Sequence, residues 1–315
     1  GGGRPTGTPP ADRETGTQPS APPENQPDDL SSEAGTDVPT SVSSASVNSP
    51  SNTDDAAADP AASDTTDTSS DETSTRGLKA SAQLIITGGT FSLDTADDAL
   101  HSNGDISISG GTYTIATGDD GIHADNAVTI TDCDPTIADS YEGIEGLSID
   151  ISGGTISVKA SDDGLNAAGG ADSSGFGGRG GDAFAVTDGA CITISGGTLT
   201  VDADGDGLDS NGDLRITGGV TYVAGPTSGA DSALDCNGEA EITGGTFAAT
   251  GTVGMASTFG DSSTQASMLI ALSPDSTPCT ITVLDADGAE LFSWDSTKNF
   301  SSVLFSSPEL EQGAA

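Results

Sequence analysis

Residues 106–125 read ISISGGTYTIATGDDGIHAD, and the phrase returns along the chain as Ile/Leu-x-Ile-Ser/Thr-Gly-Gly, a β-rich stretch, then Asp-Asp-Gly-Ile/Leu. The Ser/Thr anchors are Thr87, Ser109, Thr131, Ser152, Ser195, Thr217 and Thr243, with successive spacings of 22, 22, 21, 43, 22 and 26. A period near 22 is that of a solenoid, and the spacing of 43 is one coil plus the Gly-rich insertion Gly169 to Asp188. Apolar residues alternate within each coil, as in Phe91/Leu93, Tyr113/Ile115, Ile156/Val158 and Leu199/Val201. Alternation is the strand signature and excludes helices from the repeat. Three short strands per coil fit, for example 106–108, 112–115 and 121–124, with corners at Gly-Gly and Asp-Asp-Gly.

One such coil cannot bury its apolar face, but stacking aligns Ile86, Ile108, Ile130, Ile151, Ile194, Ile216 and Ile242 in one interior column. The fold class is therefore all-β: a right-handed parallel β-helix over 81–263. Its last coil leaves an exposed strand edge that must be covered. Beyond Gly260 the repeat stops and strands near 267–272, 279–285, 291–294 and 303–305 read as a C-terminal β cap over 264–315. Asp287-Gly288 supplies a hairpin turn, and Trp294, Phe292, Phe300 and Phe305 a cap core. Trp294 has a second reading, as a platform on which a sugar stacks. A last cap strand can lie beyond Ala315.

Residues 1–80 form an acidic linker rich in Pro, Ser, Thr and Asp, whose few large aliphatics cannot support a core. Such a spacer suits a tether to the cell envelope through residues preceding Gly1, with the protein outside the cell. Cys133, Cys191, Cys236 and Cys279 lack any CxxC or His pairing. Parity permits two disulfides, but so cysteine-poor a chain favours free thiols.

The net charge is −41, and 35 of the 49 acidic residues follow Ala80 with only 4 of the 8 basic ones. That surface repels nucleic acid and anionic lipid. Aligning the coils places Asp97, Asp119, Asp162 and Asp231 in a first corner column and Asp98, Asp120, Glu142, Asp163 and Asp206 in a second. A third holds His101, His123, Glu145, Asn166, Asp209 and Asp235, and a fourth Asn103, Asp125, Asn211 and Asn237. By strand alternation the third column is expected to point outward, its histidines facing solvent or lying beside a cation rather than serving as zinc ligands or bases. Asp-Asp-Gly is also a good turn former, which accounts for any single corner. It does not account for carboxylates stacked coil on coil, since two charges ~4 to 5 Å apart repel by about 1 kcal/mol in water and roughly 4 at an effective dielectric near 20. A hard, oxygen-seeking cation reverses that cost, and calcium, with six to eight oxygen ligands, suits the pattern better than magnesium. The expected ligands are Asp97, Asp98, Asp119, Asp120, Glu142, Glu145, Asp162, Asp163, Asp206, Asp209, Asp231 and Asp235.

The phrases TGGTF (87–91), SGGTY (109–113), SGGTI (152–156), SGGTL (195–199) and GDDGIH (118–123), with the cap phrase KNFSSVLFSSP (298–308), resemble the calcium-binding, polysaccharide-lyase-like β-helix family of bacterial surface carbohydrate-binding proteins. The resemblance covers about Leu84 to Phe305. It implies binding of plant-type polysaccharide, acidic pectin included, with calcium at the Asp-Asp-Gly corners, and no established catalysis. Coil three departs from it, with Asp132-Cys133 for Gly-Gly and Tyr141-Glu142 for Asp-Asp, and coil six is expanded around Pro226.

A binder of this kind completes the calcium shell with a uronate carboxylate, and Tyr141 and Lys159 are the candidate sugar contacts. The rival class is a lyase acting by β-elimination, whose base near calcium-bound substrate would be Lys159, three residues before Asp162-Asp163. A polygalacturonase-type hydrolase using Asp119, Asp120 and His123 is weaker, because a motif repeated in most coils is scaffold first. A surface spacer or adhesin using calcium only for rigidity is the third class.

Overall fold

A computed structural model describes residues 75–168, 185–229 and 231–310, all within the compact unit Ser69–Ala315. The linker before residue 75 and most of the insertion lie outside the described residues. The chain enters through β1 (Leu78–Ala80), and the first coil is β2 (Gln83–Ile86), β3 (Thr90–Thr95) and β4 (Leu100–Ser102). Then come β5 (Asp105–Ile108), β6 (Thr112–Thr117), β7 (Ile122–Ile130), β8 (Asp134–Asp139), β9 (Ile144–Ile151), β10 (Thr155–Ala160) and β11 (Leu165–Ala167). β12 (Cys191–Ile194), β13 (Thr198–Ala203), β14 (Leu208–Ser210), β15 (Asp213–Ala224), β16 (Asp235–Cys236) and β17 (Ala240–Gly251) complete the solenoid. All these strands pair in parallel with the coil before and after, giving three faces.

The interior column expected from the repeat is present in register: Ile86 pairs with Ile108, and on through Ile130, Ile151, Ile194, Ile216 and Ile242. All seven are buried. Ile151 meets Ile194 across 43 residues, so the stack keeps its register across the insertion. The second glycine of most Gly-Gly corners has positive φ, as at Gly111 (104°) and Gly154 (92°), which only glycine adopts freely. A Cβ on Gly154 would lie 2.1 Å from the Cys133 carbonyl oxygen one coil below, so the corner also needs glycine for close stacking. All four cysteines are free thiols.

The cap consists of β18 (Ser267–Ser276), the hairpin β19 (Thr280–Leu284) and β20 (Glu290–Asp295), and β21 (Phe300–Ser306). β21 pairs antiparallel with β17 and with β18, which continues the second face of the solenoid and covers its open edge. The first face ends under the segment before β18, where the Gly260 and Gln265 amides donate to the Ala240 and Ile242 carbonyls. The expected cap core is present where Phe292 packs on Phe305 with centroids 5.0 Å apart, but its outer members also lie on the solenoid. Phe300 and Phe305 are buried, whereas Phe292 and Trp294 are half-buried and stack on Tyr222 of the solenoid at 5.8 and 5.7 Å. The hairpin has too few strands for a core of its own, so its aromatics lie against the solenoid.

Candidate metal centre

The corners between the second and third faces carry the acidic columns, and the parallel register brings them together. Lys79, His101, His123, Glu145, Asn166, Asp209 and Asp235 are successive partners from β1 to β16. The third column is thus aligned as its spacing implies, but its histidines do not face solvent: His101 is 1% exposed and His123 2%. Alternation turns them from the apolar core, yet a three-residue strand between two tight corners does not reach water. The carboxylates of Asp98 and Asp120, three residues earlier, bond their Nδ1 atoms at 2.7 and 3.0 Å.

In the second column one carboxylate oxygen serves the scaffold. Asp98 Oδ1 accepts from the Asp120 amide at 3.3 Å and Asp120 Oδ1 from the Glu142 amide at 3.2 Å. Asp163 Oδ1 accepts from the Asp206 amide at 2.6 Å, and Asp206 Oδ1 from the Ser232 amide. The amide of the next coil therefore holds one oxygen of each of these four acids, and the other oxygen decides the electrostatics.

In coils one to three that oxygen meets nitrogen. Arg76 Nε donates to Asp98 Oδ2 at 2.9 Å. The His101 and His123 rings stack with centroids 5.0 Å apart, and Glu145 Oε2 lies 2.6 Å from His123 Nδ1. Burial alone would lower the His123 pKa, but the Asp120 and Glu145 carboxylates outweigh it and hold it up at about 11. His101, buried and facing Arg76, is shifted the other way. Glu142, buried and beside Glu145 and Asp120, is pushed up to about 10, so it is the uncharged acid at neutral pH. Its Oε2 accepts from Asn166 Nδ2 at 3.0 Å.

In coils four to six none of Asp163, Asp206 and Asp209 meets a base among the described residues. One oxygen each from Asp163, Asp206 and Asp209 lies within 4.8 Å of the others, and all three residues are half-buried. None forms an ion pair among the described residues. Asp163 is pushed up to about 8 by burial and then by Asp209 and Asp206. Asp206 rises to about 7 through burial and neighbours that include Asp209, Asp235 and Asp231; Asp209 rises to about 6 through burial, Asp235 and Asp162. Asn166 is in register with Asp209, and its Oδ1 is buried without a hydrogen-bond partner among the described residues. An oxygen-only, half-open group with uncompensated charge and an orphaned carbonyl oxygen beside it fits a hard cation.

Asp97, Asp98 and Asp119 form another close carboxylate group, and Arg76 Nε lies 3.4 Å from Asp97. Asp120, His123 and Glu145 form a third, mixed group. Tyr141 bonds Asp162 and is raised mainly by that bond. Lys159 lies apart from the corner, on the exposed side of β10, in a groove that Trp294 also lines. Arg76 was hidden by the linker-like composition around it, yet it stands 22 residues before Asp98 and occupies the second column of the preceding turn. The period carried backward would have found it.

A family model described as carbohydrate-binding domain-containing protein matches residues 32–121, less than a third of the chain. No curated protein and no solved structure matches. Fold and site together define a parallel β-solenoid whose stacked Asp and His clusters can hold a metal ion.

Proposed function

We propose that this is an extracellular, calcium-dependent carbohydrate-binding protein that takes an acidic polysaccharide of the plant cell-wall type. The observation that carries the metal is the base-free trio Asp163, Asp206 and Asp209, flanked by Asp162, Asp231, Asp235 and the Asn166 carbonyl. Calcium there neutralises acids that the fold otherwise forces together, and a coordination position left open on the half-exposed side accepts a uronate carboxylate. The described family name supports the ligand class. The remaining acids, Asp97, Asp98, Asp119, Asp120, Glu142 and Glu145, belong to the half already supplied with Arg76 and histidine, and are scaffold in this reading.

Retention on immobilised polygalacturonate, in calcium and then in chelator, tests this directly. Binding in calcium, release in EDTA and loss in Asp163→Asn/Asp209→Asn are the expected results. Retention that ignores EDTA, or its absence on every acidic glycan, defeats the proposal. Absorbance of unsaturated products in the same mixture would reveal β-elimination, in which case the protein is a lyase with Lys159 as the first base to replace.

A further inference from the structure

The cap hairpin does more than cover an edge. The segment between β20 and β21 reaches back onto the second face two coils away: Lys298 Nζ lies 2.7 Å from Asp202 Oδ1, 2.9 Å from Asp204 Oδ1 and 2.6 Å from the Ala203 carbonyl, and Thr297 Oγ1 bonds Asp202. With β20 clamped there and Trp294 resting on Tyr222, hairpin and sheet enclose a groove of about 320 Å³. That is the lower end of the range for ligand sites. A contact serving only to seal the solenoid would close onto its floor.

The floor has a repeating chemistry. Thr136, Ser157 and Thr200 are register partners on β8, β10 and β13, and all three are exposed. Thr114 and Ser92 continue the row toward the first coil, and Tyr222 ends it under the hairpin. The register therefore offers one hydroxyl per coil, ~4.8 Å apart, along the solenoid axis. Lys159 is exposed on the same floor, beside Asp202 in the register, and makes no ion pair among the described residues. Lys298, by contrast, is consumed by the clamp. On a chain of net charge −41 an unpaired ammonium beside an indole and a row of hydroxyls is an isolated feature.

We propose that this groove is the saccharide-binding site: a chain of uronate sugars lies along the solenoid axis, one ring against Trp294, its hydroxyls on Thr136, Ser157 and Thr200, and a carboxylate on Lys159. Indole faces take the C–H side of a pyranose, hydroxyls take its edge, and a lone cation selects the anionic sugar. The inference rests on the polysaccharide reading above and gives it a place on the molecule.

Trp294 is the single tryptophan of the chain, so its fluorescence reports the groove. Titrating the calcium-loaded protein with a galacturonate oligomer is expected to change its emission saturably. Lys159→Ala, which alters an exposed side chain, should weaken that titration about ten-fold, a difference of ~1.4 kcal/mol. Trp294→Ala should lose retention on polygalacturonate while keeping the calcium-induced rise in melting temperature, which shows that it is folded. If the parent is retained on polygalacturonate but its emission does not respond and both variants are retained equally, the groove is wrong and the binding function stands. If the parent is retained on no acidic glycan, both fall.

Discussion

The corner column solves one electrostatic problem in two ways. In coils one to three the stacked acids are answered by Arg76 and His123, with His101 hydrogen-bonded to Asp98, in a layer nearly closed to water. In coils four to six the same positions hold Asp163, Asp206 and Asp209 with no base against them among the described residues, and the layer is half-open. Coil three separates the halves: Glu142 is held in its uncharged form, and Tyr141 takes the place of the first-column acid. A repeat that looks uniform by spacing is thus split into a half with bases built in and a half whose Asp cluster could hold a cation.

The largest effect that would break this comparison is removal of the internal base. His123→Ala strips the partner from Asp120 and Glu145 in a buried layer and should cost about 3 to 5 kcal/mol. Chemical denaturation checks it, and the calcium-induced stabilisation should survive. If His123→Ala instead abolishes the calcium response, the two halves are one site.

A smaller effect lies in pH. Asp163, Asp206 and Asp209 are raised to about 8, 7 and 6 from an ordinary carboxylate value near 3.9. Stability from their protonated forms is complete below about pH 4 and is lost as pH rises through about 8. The metal-free protein should therefore melt lower at pH 8 than at pH 5. Calcium binds only the ionised acids, so its stabilisation should be small at pH 5 and reach roughly 2.7 kcal/mol at pH 8 when present at a hundred times its dissociation constant. His123, held at about 11, loses its own contribution between about pH 6.5 and 11, which adds to the decline without responding to calcium. Melting curves at both pH values, with calcium and with EDTA, decide the point; an equal calcium increment at both counts against the trio.

The smallest effect is a transplant. Asn166→His places a base in the third column beside Asp209, as His123 stands beside Glu145. It should stabilise the metal-free protein by about 1 kcal/mol, in line with a hydrogen bond to a charged group, and weaken calcium binding about ten-fold by titration calorimetry. Unchanged affinity would show that Asn166 lies outside the cation's reach.

Much of this was legible before any coordinates. The spacing of anchors gave the coils, their isoleucine column and the membership of each acidic column, because in a parallel stack register follows from period. The burial of His101 and His123 was not legible, since alternation states only which side of a strand a residue takes and not what closes over it. The place of Arg76 was obscured by the composition of its neighbours. The sequence left Trp294 open between cap core and sugar platform, because spacing could not show that a two-stranded hairpin borrows the solenoid's surface.

What the amino-acid order determined by itself is periodic: a β-solenoid of about 22 residues per turn, with acids aligned at its corners. What only the tertiary structure decided is which of those acids are compensated and where the cap returns to the body. Both depend on contacts between residues from 22 to 95 positions apart, such as Arg76 with Asp98 and Lys298 with the Ala203 carbonyl. A repeat fixes the height of each rung, but the charge on a rung is set by whichever neighbour the folded chain brings to it.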